Sequence, residues 1–102
     1  MPKIKWSPEA RENLIDIFLT IAEDNPAAAE RVVRELEQRV QLLEKNPRLG
    51  VRRPEIRYSA RILMRGVYVI IYEITPNGDD EAVEEIEVVS IVHGHRDMSA
   101  LF

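Results

Sequence analysis

Cysteine is absent from this 102-residue chain. That excludes a disulfide framework, a thiolate zinc site and a cysteine nucleophile, and makes a reducing cytoplasm the simplest home. No apolar run approaches the ~20 residues a membrane span needs. The opening Met-Pro-Lys-Ile-Lys-Trp lacks the apolar core of a secretory signal. There are only four glycines, and none makes a phosphate-cradling loop or a nucleophile elbow. Asp79-Asp80-Glu81 lacks the alternating ligands and closing glutamate of a calcium loop, so it reads as a solvated hairpin tip. Repeats, low-complexity tracts and long linkers are missing too, so residues 1–102 should form one domain.

What is present is a concentration of positive charge. Lys45, Arg48, Arg52, Arg53, Arg57, Arg61 and Arg65 are seven of the fourteen Lys and Arg residues, and between them stands one acid, Glu55. This stretch carries +6 (7 − 1) in a chain of net −4, so the remainder carries −10. Guanidinium forks suit carboxylates and phosphates, so one reading is an anionic partner. The other is internal pairing with acids of the second half, such as Glu84, Glu85 and Glu87. The acidic pI of about 5.2 argues against indiscriminate nucleic-acid binding.

Local signals order the elements. Lys3 to Trp6 is a short β-like run. Ser7-Pro8 announces a helix, with Ser as cap and Pro in the first turn. Ala10, Leu14, Ile17, Phe18, Ile21 and Ala22 give it one apolar face. Asn25-Pro26 starts a second helix, striped by Ala29, Val32, Val33, Leu36, Val40 and Leu43. Asn46-Pro47 stops it, because the residue before proline is driven from the α region. After an irregular connection from Pro47 to Ser59 the pattern turns to β. Strands are expected over 60–65, 67–72 and 84–92, with Gly66 in a tight turn and 75–80 as a polar turn. The fold class is therefore α+β, ordered β-α-α-β-β-β. An antiparallel helical hairpin should cover one face of a small, mainly antiparallel sheet and leave the other partly open. Arg61 and Arg65 share a face of one strand, with Leu63 between them, an arrangement read as a functional surface.

His93, His95 and Arg96 follow the last strand, and Tyr72, Arg61 and Arg65 approach them if the strands pair in order. Histidine, tyrosine and arginine can supply the base, acid and charge stabilisation that cleavage through a ribose 2′-hydroxyl requires. The other reading gives the histidines ordinary strand-end and turn hydrogen bonds. An extended His93-x-His95-x-Asp97 could aim three ligands one way, but Gly94 breaks that geometry, and no metal or other cofactor is expected.

Trp6-Ser7-Pro8-Glu9-Ala10, Ile21-Ala22-Glu23-Asp24-Asn25-Pro26, Asn46-Pro47-Arg48-Leu49-Gly50, Tyr72 in an apolar strand, and Ile91-Val92-His93-Gly94-His95-Arg96-Asp97 occur in one order across nearly the whole chain. Together they resemble the ParE branch of the RelE/ParE toxins of type II toxin–antitoxin systems. The resemblance implies a compact α/β toxin, wrapped by the C-terminal part of a cognate ParD-like antitoxin in a hetero-oligomer. Relatives in the ParE branch act on DNA gyrase, while the RelE branch cleaves mRNA on the ribosome. RelE-type nucleases carry an arginine three positions before the strand tyrosine, where this chain has Val69. They carry a tyrosine near the C-terminus, where it has Phe102. Arg96 does match a RelE arginine. Gyrase inhibition is the expected function, without a catalytic residue, membrane or sequence-specific nucleic-acid contact. Ribosome-dependent cleavage and a non-toxic, decayed binding module are the alternatives. Target contact is expected at Arg61, Arg65, His95 and Arg96, and an acidic antitoxin segment at Arg53, Arg57 and Arg61. The segment from His93 to Phe102 is expected to serve toxicity more than folding.

Overall fold

The computed structural model describes residues 1–94. Strand β1 (Lys3–Trp6) leads into helix α1 (Pro8–Ala22) and helix α2 (Pro26–Gln41), which ends in a 3-10 turn over Leu42–Glu44. Both expected caps are made. The Ser7 hydroxyl accepts from Ala10 N at 2.9 Å, and Asn25 Oδ1 accepts from Ala28 N at 3.0 Å. Each satisfies a helix-start donor that has no partner within the helix.

Strands β2 (Val51–Arg52), β3 (Arg61–Arg65), β4 (Tyr68–Thr75) and β5 (Glu85–His93) complete a five-stranded sheet of order β1-β5-β4-β3-β2. β1 runs parallel to β5, and the other pairings are antiparallel. The architecture is the α+β class expected, with one addition. The connection after α2 contributes β2, which pairs Val51 with Ile62 and Arg52 with Arg61. Two residues are too short a run to show alternation, so this strand left no periodic signal. Gly66, at φ 60°, opens the β3–β4 turn, the backbone region that glycine enters without steric cost.

The helical hairpin covers one sheet face through Ile17, Leu36 and Val40, packed with Leu63, Ile70 and Ile86. The other face carries a smaller cluster, where Ile56 and Ala60 of the β2–β3 connection lie with Val69, Ile71 and Val89. That face is therefore covered at its centre, and it is bare toward Met64. β1 ends at Trp6, and a bulge at Val89 shifts the β4–β5 register, so Ile71 faces Ser90 while Tyr72 faces Val88. α1 takes over this stretch of edge. The Ser7 hydroxyl donates to Val89 O at 2.6 Å, Ser7 N donates to Val88 O at 2.9 Å, and Asn13 Oδ1 accepts from Ile91 N at 3.0 Å. Side chains and a helix start stand where a longer β1 would have paired.

Candidate functional site

Leu63 joins the core beneath the helices, so Arg61 and Arg65 also lie on the helix side of β3. That side is not the open surface expected of them. Arg61 is only 5% exposed. Its Nη1 donates to Gly50 O at 3.1 Å, and its Nη2 lies 3.8 Å from Asp79 Oδ1. Arg65, exposed at the opposite end of the strand, pairs with Glu35 of α2 at 2.8 Å. Strand geometry separates the two at about 3.3 Å per residue, and each end of the face is closed by a different neighbour.

Arg61 belongs to a cluster beneath the β4–β5 loop. Arg48 Nη2 donates to Gly78 O, and to Glu81 O at 2.7 Å. Arg52 Nη2 donates to Asn77 O at 2.9 Å and to Asp79 Oδ1 at 2.7 Å. The neighbouring Tyr72 hydroxyl donates to Pro47 O at 2.9 Å and accepts from Gly50 N at 2.7 Å. Burial pulls the Arg61 guanidinium below its ordinary pKa, and the nearby Arg52 and Arg48 act in the same direction. The hydrogen bond from Arg52 holds the Asp79 carboxyl below the usual carboxylate range. Burial raises the Tyr72 phenol. Among the described residues, Arg48 Nε, Arg61 Nε and Asn77 Oδ1 are buried without a hydrogen-bond partner.

His93 lies at the other end of the sheet. It pairs with Tyr68, which pairs with Arg65, and the Tyr68 and His93 rings meet edge to face at 5.8 Å. Both rings line a cavity of ≈300 Å³ with Asn13, Asp16 and Thr20 of α1. The strands do pair in order, but that order divides the proposed RNA-cleaving set. Tyr72 and Arg61 share one cross-strand row with Val88, four residues from the row of Arg65, Tyr68 and His93. The Tyr72 hydroxyl is committed to the backbone of residues 47–50, and Val69, in the position of a RelE arginine, is buried.

Arg53 pairs with Glu55 at 2.6 Å and Arg57 with Glu73 at 3.4 Å. Both stand near exposed apolar side chains: Val51 is 66% exposed, Tyr58 86%, and Met64 and Val67 are also open. The Arg-rich stretch is thus extensively paired within the chain. Its partners are Glu35, Glu55, Glu73, Asp79 and loop carbonyls, whereas Glu85 pairs with Lys5. His95 and Arg96, and the expected role for the segment beyond Gly94, lie outside the described residues. Sequence reasoning missed Arg48, Arg52, Asp79 and Asn13 as contact-makers. Their partners are 25 to 78 residues away, and the one available hint was the surplus of arginine over acid.

Among the described residues no helix is long and apolar enough to cross a membrane. The chain is similar to "Putative toxin Y4kP" of Sinorhizobium fredii, 27% identical over 95 residues covering 92% of this chain and 90% of that protein. Its fold is similar to a solved chain titled "Chromosomal ParDE TA system from P. aeruginosa", with a TM-score of 0.72 at 21% identity, over 91% of this chain and 96% of that one. The family described as "ParE toxin of type II toxin-antitoxin system, parDE" matches residues 4–98, nearly the whole chain, so this protein belongs to the ParE toxin family of type II toxin–antitoxin systems.

Proposed function

We propose that this ParE-family chain inhibits DNA gyrase, and so replication, by protein–protein contact in the cytoplasm, and that a cognate ParD-like antitoxin neutralises it. One observation carries the choice over RNA cleavage. The Tyr72 hydroxyl, the strand phenol that cleavage chemistry would use, is buried and holds Pro47 O and Gly50 N. A general acid or base must reach the proton it transfers, and among the described residues this one is committed to backbone. Burial of Val69 in the smaller core supports the same reading.

The antitoxin reading rests on exposed apolar area bordered by cations. Val51, Tyr58, Met64 and Val67 are open to solvent. Arg53 and Arg57 belong to the same stretch of chain and pair with Glu55 and Glu73, acids that a partner's carboxylates can replace. An acidic, amphipathic segment that folds on binding matches this chemistry. A second pair of exposed apolar side chains, Ile15 and Leu19, lies on α1. Arg65, His95 and Arg96 are left for the target. Arg61 is almost wholly buried, with Asp79 at 3.8 Å.

Expression without antitoxin, followed by assays of supercoiling, DNA breaks and mRNA integrity, tests the proposal. The expected result is gyrase inhibition with intact mRNA. Rapid mRNA cleavage with undisturbed supercoiling overturns it. Growth without any defect favours the decayed binding module.

A further inference from the structure

The cluster beneath the β4–β5 loop is more cationic than its internal partners require. Arg48, Arg52 and Arg61 converge there, and the carboxylate of Asp79 is the acid that meets them, a local balance of +2 (3 − 1). Asp80 and Glu81 follow Asp79, yet among the described residues neither carboxylate pairs with these guanidiniums. A single oxygen, Asp79 Oδ1, stands 2.7 Å from Arg52 Nη2 and 3.8 Å from Arg61 Nη2. Arg61 is almost wholly buried, whereas the Asp79 side chain is 74% exposed. Asp79 therefore covers a buried guanidinium from the solvent side, held by one charge-assisted bond to Arg52. Among the described residues, the buried Arg48 Nε and Arg61 Nε have no acceptor.

We propose that Arg48, Arg52 and Arg61 form a phosphate-binding site in which the Asp79 carboxylate is the resident substitute, displaced when a phosphate group enters. A carboxylate ligand would only exchange one single charge for another. A dianionic phosphate in its place brings a second charge and further acceptor oxygens, and lowers the local balance from +2 to +1 (3 − 2). The exposed Asp79 side chain can swing into water without breaking a strand, because it lies in the loop between β4 and β5. The source is a free phosphate or a phosphate monoester, the forms that carry two charges, and not the singly charged diester of a nucleic-acid backbone.

Asp79→Asn tests this without reference to gyrase or antitoxin. Removing the internal anion leaves three guanidiniums unbalanced, so the variant melts below wild type in chloride buffer. Inorganic phosphate at matched ionic strength raises its melting temperature more than that of wild type, because ligand binding stabilises the state that binds. By calorimetry, phosphate binds Asp79→Asn about tenfold more tightly than wild type, as removal of a competing internal charge predicts. Adding Arg52→Gln abolishes the difference. A short single-stranded oligonucleotide without terminal phosphate, whose diesters each carry one charge, should not displace the phosphate, and one that does overturns the assignment to a dianion. Equal shifts in phosphate and chloride, or a phosphate response that survives Arg52→Gln, overturn the proposal. If Asp79→Asn fails to fold in chloride, phosphate must restore folding, and failure in both buffers overturns it equally.

Discussion

Gly50 N donates to the Tyr72 hydroxyl at 2.7 Å, and the two residues approach so closely that a Cβ on Gly50 would lie 2.6 Å from Tyr72 Cε1. The same Cβ would stand 2.6 Å from Ile62 O, which is backbone and cannot swing away. Gly50→Ala should therefore push the 47–50 loop off the sheet and cost about 1–3 kcal/mol or more by overpacking. Tyr72→Phe keeps the ring but orphans Gly50 N and Pro47 O, at a cost of about 1–3 kcal/mol. Urea denaturation monitored by circular dichroism measures both.

Alkaline stability should depend on the same phenol. Burial raises the Tyr72 pKa above its ordinary value, so the folded state favours the neutral form. Its contribution is complete below the unfolded tyrosine pKa of about 10 and is lost as pH rises from there through the folded value. The wild-type chain should lose stability across that window, and Tyr72→Phe should lose less. Melting temperatures from pH 8 to about 11.5 in both proteins decide this, and parallel curves would refute it.

Elements announced by neighbouring residues were legible in the sequence. Ser7-Pro8 and Asn25-Pro26 mark helix starts within a few residues, and both caps form. β1 is likewise the expected Lys3–Trp6. Alternation correctly put Arg61, Leu63 and Arg65 on one face but could not say which face the helices cover. Leu63 decides that by joining the main core, and it takes Arg61 inward. The cluster of Arg48, Arg52, Arg61 and Asp79 draws on the 47–50 loop, β2, β3 and the β4–β5 loop. No local period encodes such convergence. Asn13 is similar, since its role exists only because β1 stops at Trp6 and leaves β5 in need of an acceptor.

Loss of either α1 contact to β5 should be costly for its size. Ser7→Ala removes an acceptor for Ala10 N and a donor to Val89 O together. A cap alone is worth about 0.5–2 kcal/mol, so the upper end is expected. Asn13→Ala leaves Ile91 N without its acceptor, costing about 1–2 kcal/mol. Asn13→Asp, which retains an oxygen, should recover most of that loss in the same unfolding experiment.

Charge reversal should separate the surface arginines from the buried one. Arg53 and Arg57 form ion pairs with Glu55 and Glu73, with the Arg57 side chain 55% exposed. Exposed pairs of this kind add little to stability, so Arg53→Glu/Arg57→Glu should remain folded. Loss of two attractive charges and gain of two repulsive ones should nevertheless weaken binding of an acidic antitoxin segment by about tenfold or more, chiefly through slower association at low salt. Arg61→Glu is a different experiment. It buries a carboxylate against Gly50 O and near Asp79, at a cost of about 3–5 kcal/mol, and loss of antitoxin binding would then reflect unfolding. Circular dichroism and binding kinetics on the same samples distinguish the two cases. Undiminished association of the folded Arg53→Glu/Arg57→Glu protein would remove the electrostatic part of antitoxin recognition and leave the apolar surface at Val51, Tyr58, Met64 and Val67 to account for it.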